Sequence, residues 1–72
     1  FRFGEVGTVY VSFVIEKDGS VSNIEVVGSA SKSLDREAKR IVRGFPKWIP
    51  GELNYEVVRS RIRLPIVFEI TP

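Results

Sequence analysis

Seventy-two residues make one domain, and a chain this short buries only about 60% of its unfolded surface. It has no cysteine and no histidine, which excludes disulfide staples, imidazole acid–base chemistry and soft-metal sites. Eleven basic and nine acidic residues give a net charge of +2, and no run of about twenty apolar residues occurs, so the chain carries solubility charge and no membrane-spanning segment.

The first predicted element covers residues 8 to 16, TVYVSFVIE. Val9, Val11, Phe13 and Ile15 share one face at period two, and Thr8, Tyr10, Ser12 and Val14 share the other. Apolar side chains on both faces suit a central strand. Asp18-Gly19 follows between two β-rich runs and reads as a hairpin turn, because glycine supplies positive φ. The second strand runs from Val21 to Val27, with Ile24 and Val26 on the core face and a more polar outer face that suits an edge. Residues 28 to 32 form a loop by composition.

Ser33 is the predicted N-cap of a helix of ten or eleven residues, with Asp35 and Glu37 in its first turn. Leu34, Ala38, Ile41, Val42 and Phe45 make one apolar stripe, and Gly44 and Pro46 end the helix. Two prolines stiffen the connector Phe45-Pro46-Lys47-Trp48-Ile49-Pro50-Gly51, where Trp48 is expected to close one end of the core. The last strand is predicted from Val57 to Ile70. Ile62, Leu64, Ile66, Phe68 and Ile70 lie on one face, and Arg59, Arg61, Arg63, Val67 and Glu69 on the other. Pro65 in its middle makes it an edge. A right-handed crossover then gives an α+β fold of ββαβ topology: a three-stranded antiparallel sheet, order 2-1-3, with one helix on one face. The predicted core is Val9, Val11, Phe13, Ile15, Ile24, Val26, Leu34, Ala38, Ile41, Val42, Phe45, Trp48, Leu64, Ile66 and Phe68.

No residue pattern points to an enzyme or a cofactor. Asp35 and Glu37 are two apart on a helix and do not share a face, and no serine has a histidine to activate it. The stripe Arg59, Arg61 and Arg63 reads either as a solvated face or as a surface for an acidic peptide or lipid headgroup. Nucleic acid is not an expected partner, since that reading wants interleaved exposed aromatics and a larger net charge.

Several ordered blocks resemble the C-terminal domain of TonB-type energy transducers. They are Gly7-Thr8-Val9-x-Val11-Ser12-Phe13-Val14-Ile15, Lys17-Asp18-Gly19-Ser20-Val21-Ser22-Asn23, Ser33-Leu34-Asp35-x-Glu37-Ala38, Pro46-x-Trp48-x-Pro50-Gly51 and Leu64-Pro65-Ile66-x-Phe68. The resemblance implies one domain over residues 1–72, belonging to a longer envelope protein and without the helix that usually precedes the first strand. It implies a periplasmic domain of an inner-membrane-anchored protein in a Gram-negative bacterium, the anchor lying in a segment outside this chain. The implied partner is an outer-membrane TonB-dependent receptor, whose Ton box peptide adds as a strand to the sheet edge. The candidate partner-binding residues are Val57, Val58, Arg59, Ser60, Arg61, Ile62, Arg63 and Leu64. Many relatives carry glycine where this chain has Tyr55, so the connector is expected to bend differently. The alternative is a structural or oligomerisation domain of another envelope protein, with the free edge pairing to a second copy. A homodimer is also expected from apolar side chains on the face away from the helix, namely Tyr10, Val14, Val27 and Val67.

Overall fold

A computed structural model describes residues 5–69. Its elements are β1 (Gly7–Ile15), β2 (Val21–Gly28), α1 (Lys32–Arg43), β3 (Gly51–Leu53), β4 (Glu56–Val58) and β5 (Ser60–Phe68). The main sheet is antiparallel with order β2-β1-β5, and β3 and β4 form a separate two-stranded ribbon. The expected α+β architecture with the first strand central is therefore present, with the ribbon added to it.

β1 is central because it has something to bury on both faces. Val9, Val11, Phe13 and Ile15 meet Leu34, Ala38 and Val42 of the helix in one buried cluster. Val21, Ile24, Val26, Phe45, Ile62, Leu64, Ile66 and Phe68 pack against that cluster from the flanking segments. On the opposite face Ser12 and Val14 are buried as well. Of the expected core, Ile41 is half-buried and Trp48 is 36% exposed. Trp48 is thus a partial lid and not an interior residue. Its ring centroid lies 5.7 Å from that of Phe13 and 5.8 Å from that of Phe45. Phe13 and Phe45 complete the trio edge to face at 6.0 Å.

The turn after β1 does two jobs. Gly19 donates to the Glu16 carbonyl and Glu16 to the Ser20 carbonyl, while Asp18 Oδ1 accepts from both the backbone N–H and the hydroxyl of Ser20. Gly19 has φ +87, a conformation that side chains rarely adopt. Its carbonyl also accepts the Trp48 N–H at 2.9 Å, and a Cβ there would lie 2.3 Å from the Trp48 carbonyl oxygen. The Asp18-Gly19 signal read as a turn alone is therefore also the dock for the connector.

The helix starts two residues earlier than expected. Ser31, not Ser33, is the N-cap: its extended backbone lets its hydroxyl accept the Leu34 N–H at 3.2 Å. Asp35 then reaches back to accept from the Ala30 N–H at 3.0 Å and from the Ser29 hydroxyl, fixing the loop that enters the helix. At the far end Gly44 has φ −88, so the stop does not use a left-handed glycine. Pro46 ends the helix by disfavouring helical geometry at Phe45.

The single strand expected from Val57 to Ile70 is two strands, with a break at Arg59. Asn54 (φ 51) and Tyr55 (φ 67) form a two-residue loop with both central residues left-handed, which folds Gly51–Leu53 back onto Glu56–Val58. Ile70 lies outside the described residues. The ribbon touches the rest of the domain only sparsely and lengthens it. The extents are 45 × 23 × 16 Å, and the radius of gyration of 14.0 Å exceeds the roughly 11 Å of a compact chain this size.

These contacts fix the cost of core substitutions. Phe13→Ala removes the hub of both the strand–helix core and the aromatic trio, and should cost roughly 3–5 kcal/mol in urea unfolding. Ala38 is fully buried between helix and sheet. Ala38→Arg has no route to solvent there and should abolish the cooperative melt seen by circular dichroism; a melt within a few degrees of wild type would contradict this packing.

Candidate functional site

The sheet has two edges, and they differ. β2 pairs with β1 through two register shifts, one between Tyr10 and Val11 and one between Ser12 and Val14. Each leaves an extra residue on β2, and Asn23 there has φ 49. β5 pairs with β1 without interruption from Gly7↔Phe68 to Ile15↔Ser60. Its other side has no partner strand among the described residues. Bulges twist and break a strand's row of donors and acceptors, so β2 is a poor template for another chain and β5 a good one. Pro65, opposite Tyr10, is the one place on β5 with no N–H to offer.

Side chains alternate along this edge. Ile62, Leu64, Ile66 and Phe68 turn to the core. Arg61, Arg63, Pro65 and Val67 are exposed. Ser60 is half-buried at the strand's start. Val57 and Val58 do not belong to this edge, because they pair with Glu52 and Gly51 within the ribbon. The stretch Val57–Leu64, expected to present one continuous edge, is split at Arg59, and its regular part begins at Ser60.

The arginine stripe is not uniform. Arg59 grips Glu16 with two nitrogens, Nε to Oε1 at 2.6 Å and Nη2 to Oε2 at 3.2 Å. The Ser22 hydroxyl donates to the same carboxylate. Hydrogen bonds from Arg59 first and Ser22 second hold the Glu16 carboxyl below the ordinary glutamate range. Arg61 reaches inward across β1: its Nη1 donates to Ser12 Oγ at 3.0 Å and lies 3.6 Å from Glu25 Oε1. The Arg63 side chain makes no hydrogen bond or ion pair among the described residues. Val14, Asn23, Arg59, Ser60 and Arg61 line a shallow open depression between these groups.

Glu16, Ser12 and Glu25 are the partners that sequence reasoning missed. The signal was available only through register: with Ile15 opposite Ser60, the next residue outward on each strand is Glu16 and Arg59. Of the apolar residues expected on the outer face, Tyr10, Val27 and Val67 are exposed, but Val14 is only 5% exposed and contributes nothing to a patch. Tyr10 lies over Gly28, where a Cβ would come within 2.8 Å of its ring. Away from the sheet, Tyr55 is 97% exposed at the ribbon tip and holds a conformation that suits glycine. The ribbon's turn thus carries a backbone cost at Tyr55. Among the described residues no cluster of metal-ligating side chains occurs, and no helix is long and apolar enough to cross a membrane.

A family model described as Gram-negative bacterial TonB protein C-terminal matches residues 2–70, and the chain belongs to that family. No curated protein matches the chain, and no solved structure does.

Two outcomes follow from these local interactions. Because the folded-state pKa of Glu16 is depressed, its ion pair stabilises the fold above the ordinary glutamate value of about 4.3, and that contribution fades as pH falls through the lower folded value. Glu16→Gln should therefore flatten the fall in melting temperature below about pH 4.3. Some slope should remain, since Asp18 and Glu37 are depressed too, by Ser20 and Arg40. An unaltered acid slope would mean the pair contributes nothing. In the ribbon, a left-handed non-glycine residue costs about 1–2 kcal/mol. Tyr55→Gly should slow amide exchange across β3 and β4 severalfold while leaving the global melt in place.

Proposed function

We propose that this TonB C-terminal domain is the periplasmic receptor-binding domain of a TonB-type energy transducer. It captures the Ton box of an outer-membrane receptor as an added strand on the free edge of β5. The observation that carries the reading is the contrast between the two edges. β5 is regular over nine residues, and along Ser60–Val67 no strand among the described residues pairs with its outer side, whereas β2 is twice bulged. Strand addition draws affinity from backbone hydrogen bonds and specificity from alternate side chains. Pro65 interrupts the donors, which guards the edge against indiscriminate pairing and confines the longest usable stretch to Ser60, Arg61, Ile62, Arg63 and Leu64. Within this reading Val57 and Val58 leave the site, and Arg59 serves to hold the start of the edge against Glu16. The domain acts by binding, with no catalytic step and no cofactor.

A second reading has its own observation. Tyr10, Val27 and Val67 are exposed on the face away from the helix, and the same edge that would take a peptide could take another copy of β5. A homodimer of that kind would suit a structural or oligomerisation domain of another envelope protein.

Titration with a Ton-box peptide, followed by amide shifts, tests the first reading. Shifts should concentrate in Ser60–Leu64 and extend to Ile66–Phe68. A copy of the peptide N-methylated along one edge should bind about tenfold more weakly or worse, since each lost backbone hydrogen bond in a desolvated ladder costs on the order of 1 kcal/mol. Shifts confined to β2, or equal binding of the N-methylated peptide, would refute the edge assignment. Sedimentation at hundreds of micromolar tests the second reading: a monomer throughout ends it, and a dimer that the peptide dissolves shows both partners competing for β5.

A further inference from the structure

The three arginines beside the free edge are in three different electrostatic states, and the difference selects one of them. Arg59 is held bidentate by Glu16, 43 residues away in sequence. Arg61 is drawn inward over β1, where Ser12 Oγ and Glu25 occupy its guanidinium. Arg63 pairs in register with Ser12, but the Ser12 hydroxyl is already taken by Arg61. No carboxylate among the described residues is paired with Arg63. It is exposed, on the outer face of β5, two residues before the proline that ends the usable ladder.

We infer that Arg63 is the specificity-determining residue of the edge and selects an extended peptide carrying an acidic side chain on the outer face, level with the Ser60–Leu64 ladder. This rests on strand addition at β5. A strand laid along β5 places its side chains on the same two faces at the same period of two. One of its outer-face residues therefore stands directly beside Arg63. An acidic residue there gives an opposite-charge cross-strand pair; a basic one gives a like-charge pair and is disfavoured. Arg59 and Arg61 add little to this choice, because their charge is already balanced by Glu16 and Glu25. The stripe that reads as three equivalent cations in sequence thus acts as one charge reader and two structural struts. The neighbouring Pro65 sharpens the selection, since it limits how far a peptide can slide along the edge to find another register.

The test uses an acidic Ton-box peptide and a copy in which its Asp and Glu residues are replaced by Asn and Gln, each titrated into wild-type, Arg63→Gln and Arg61→Gln chains. The Arg63 side chain is exposed and unpaired among the described residues, so Arg63→Gln should keep the fold, checked by its amide spectrum. The acidic peptide should bind wild type about two- to fivefold more tightly than the amide copy at low salt, the range of an exposed ion pair, and the preference should shrink at high salt. Arg63→Gln should abolish the preference without abolishing binding, and Arg61→Gln should retain it. Equal binding of the two peptides to wild type, or a preference that survives Arg63→Gln, overturns the role of Arg63 and leaves strand addition standing. Failure of both peptides to bind wild type overturns strand addition and this inference with it.

Discussion

The burial of β1 on both faces is the constraint on which the rest of the structure depends. A domain of this size has little apolar area to spend, and one strand carries most of it. Val9, Val11, Phe13 and Ile15 are all nearly inaccessible, and so are Ser12 and Val14 behind them. Strands pair with it on both sides, and in the three-stranded order β2 and β5 are the edges. The helix follows from the same demand. At twelve residues it is too short to persist alone, and it is held because Leu34, Ala38 and Val42 complete the cover over β1.

Having two edges is a hazard that this domain manages unequally. The polar outer face of β2 comes with two bulges, and the Tyr10 ring lies over Gly28 at its end. β5 is blunted at one residue only, by Pro65, and otherwise keeps its ladder regular. A fold under selection only for solubility gains nothing by leaving its longest regular edge open. The asymmetry fits the proposed role of that edge in strand addition, which gives two strands of similar length opposite roles.

The features legible in the sequence were those with a short-range physical cause. Alternation in residues 8 to 16 marked the central strand, Asp18-Gly19 its turn, and Pro65 an edge. What escaped had a long-range cause or an unusual residue at the decisive place. Ser31 and Ser33 are both competent caps, and the Ser31 start goes with Asp35 holding Ala30 and Ser29, contacts that sequence spacing does not announce. The ribbon loop is centred on Asn54-Tyr55, where the second residue gives no glycine signal although its backbone takes the left-handed conformation. Of the two bulges in β2, one has a weak signal in Asn23, a residue type that tolerates positive φ, and the other, near Val27, has none. The states of Arg59 and Arg61 depend on Glu16, Ser12 and Glu25, which come near only through the β1 register. The candidate edge could be located by Pro65, but the division of labour among its arginines could not.

Under the strand-addition reading, the lengths of the two ladders also bear on how such a grip transmits force. A captured peptide and β1 flank β5 on opposite sides, so tension on the peptide passes to the domain through β5. The β1–β5 ladder runs unbroken from Gly7↔Phe68 to Ile15↔Ser60, and its core-side residues on β1 are buried against the helix. The peptide has its longest uninterrupted ladder only from Ser60 to Leu64, and its outer side faces water. The shorter, wetter ladder has fewer bonds to share the load and water ready to replace them, so it yields first. The domain then releases its partner before its own sheet opens. In that reading Pro65 would set an upper bound on the grip as well as a defence against aggregation, both from the same missing N–H.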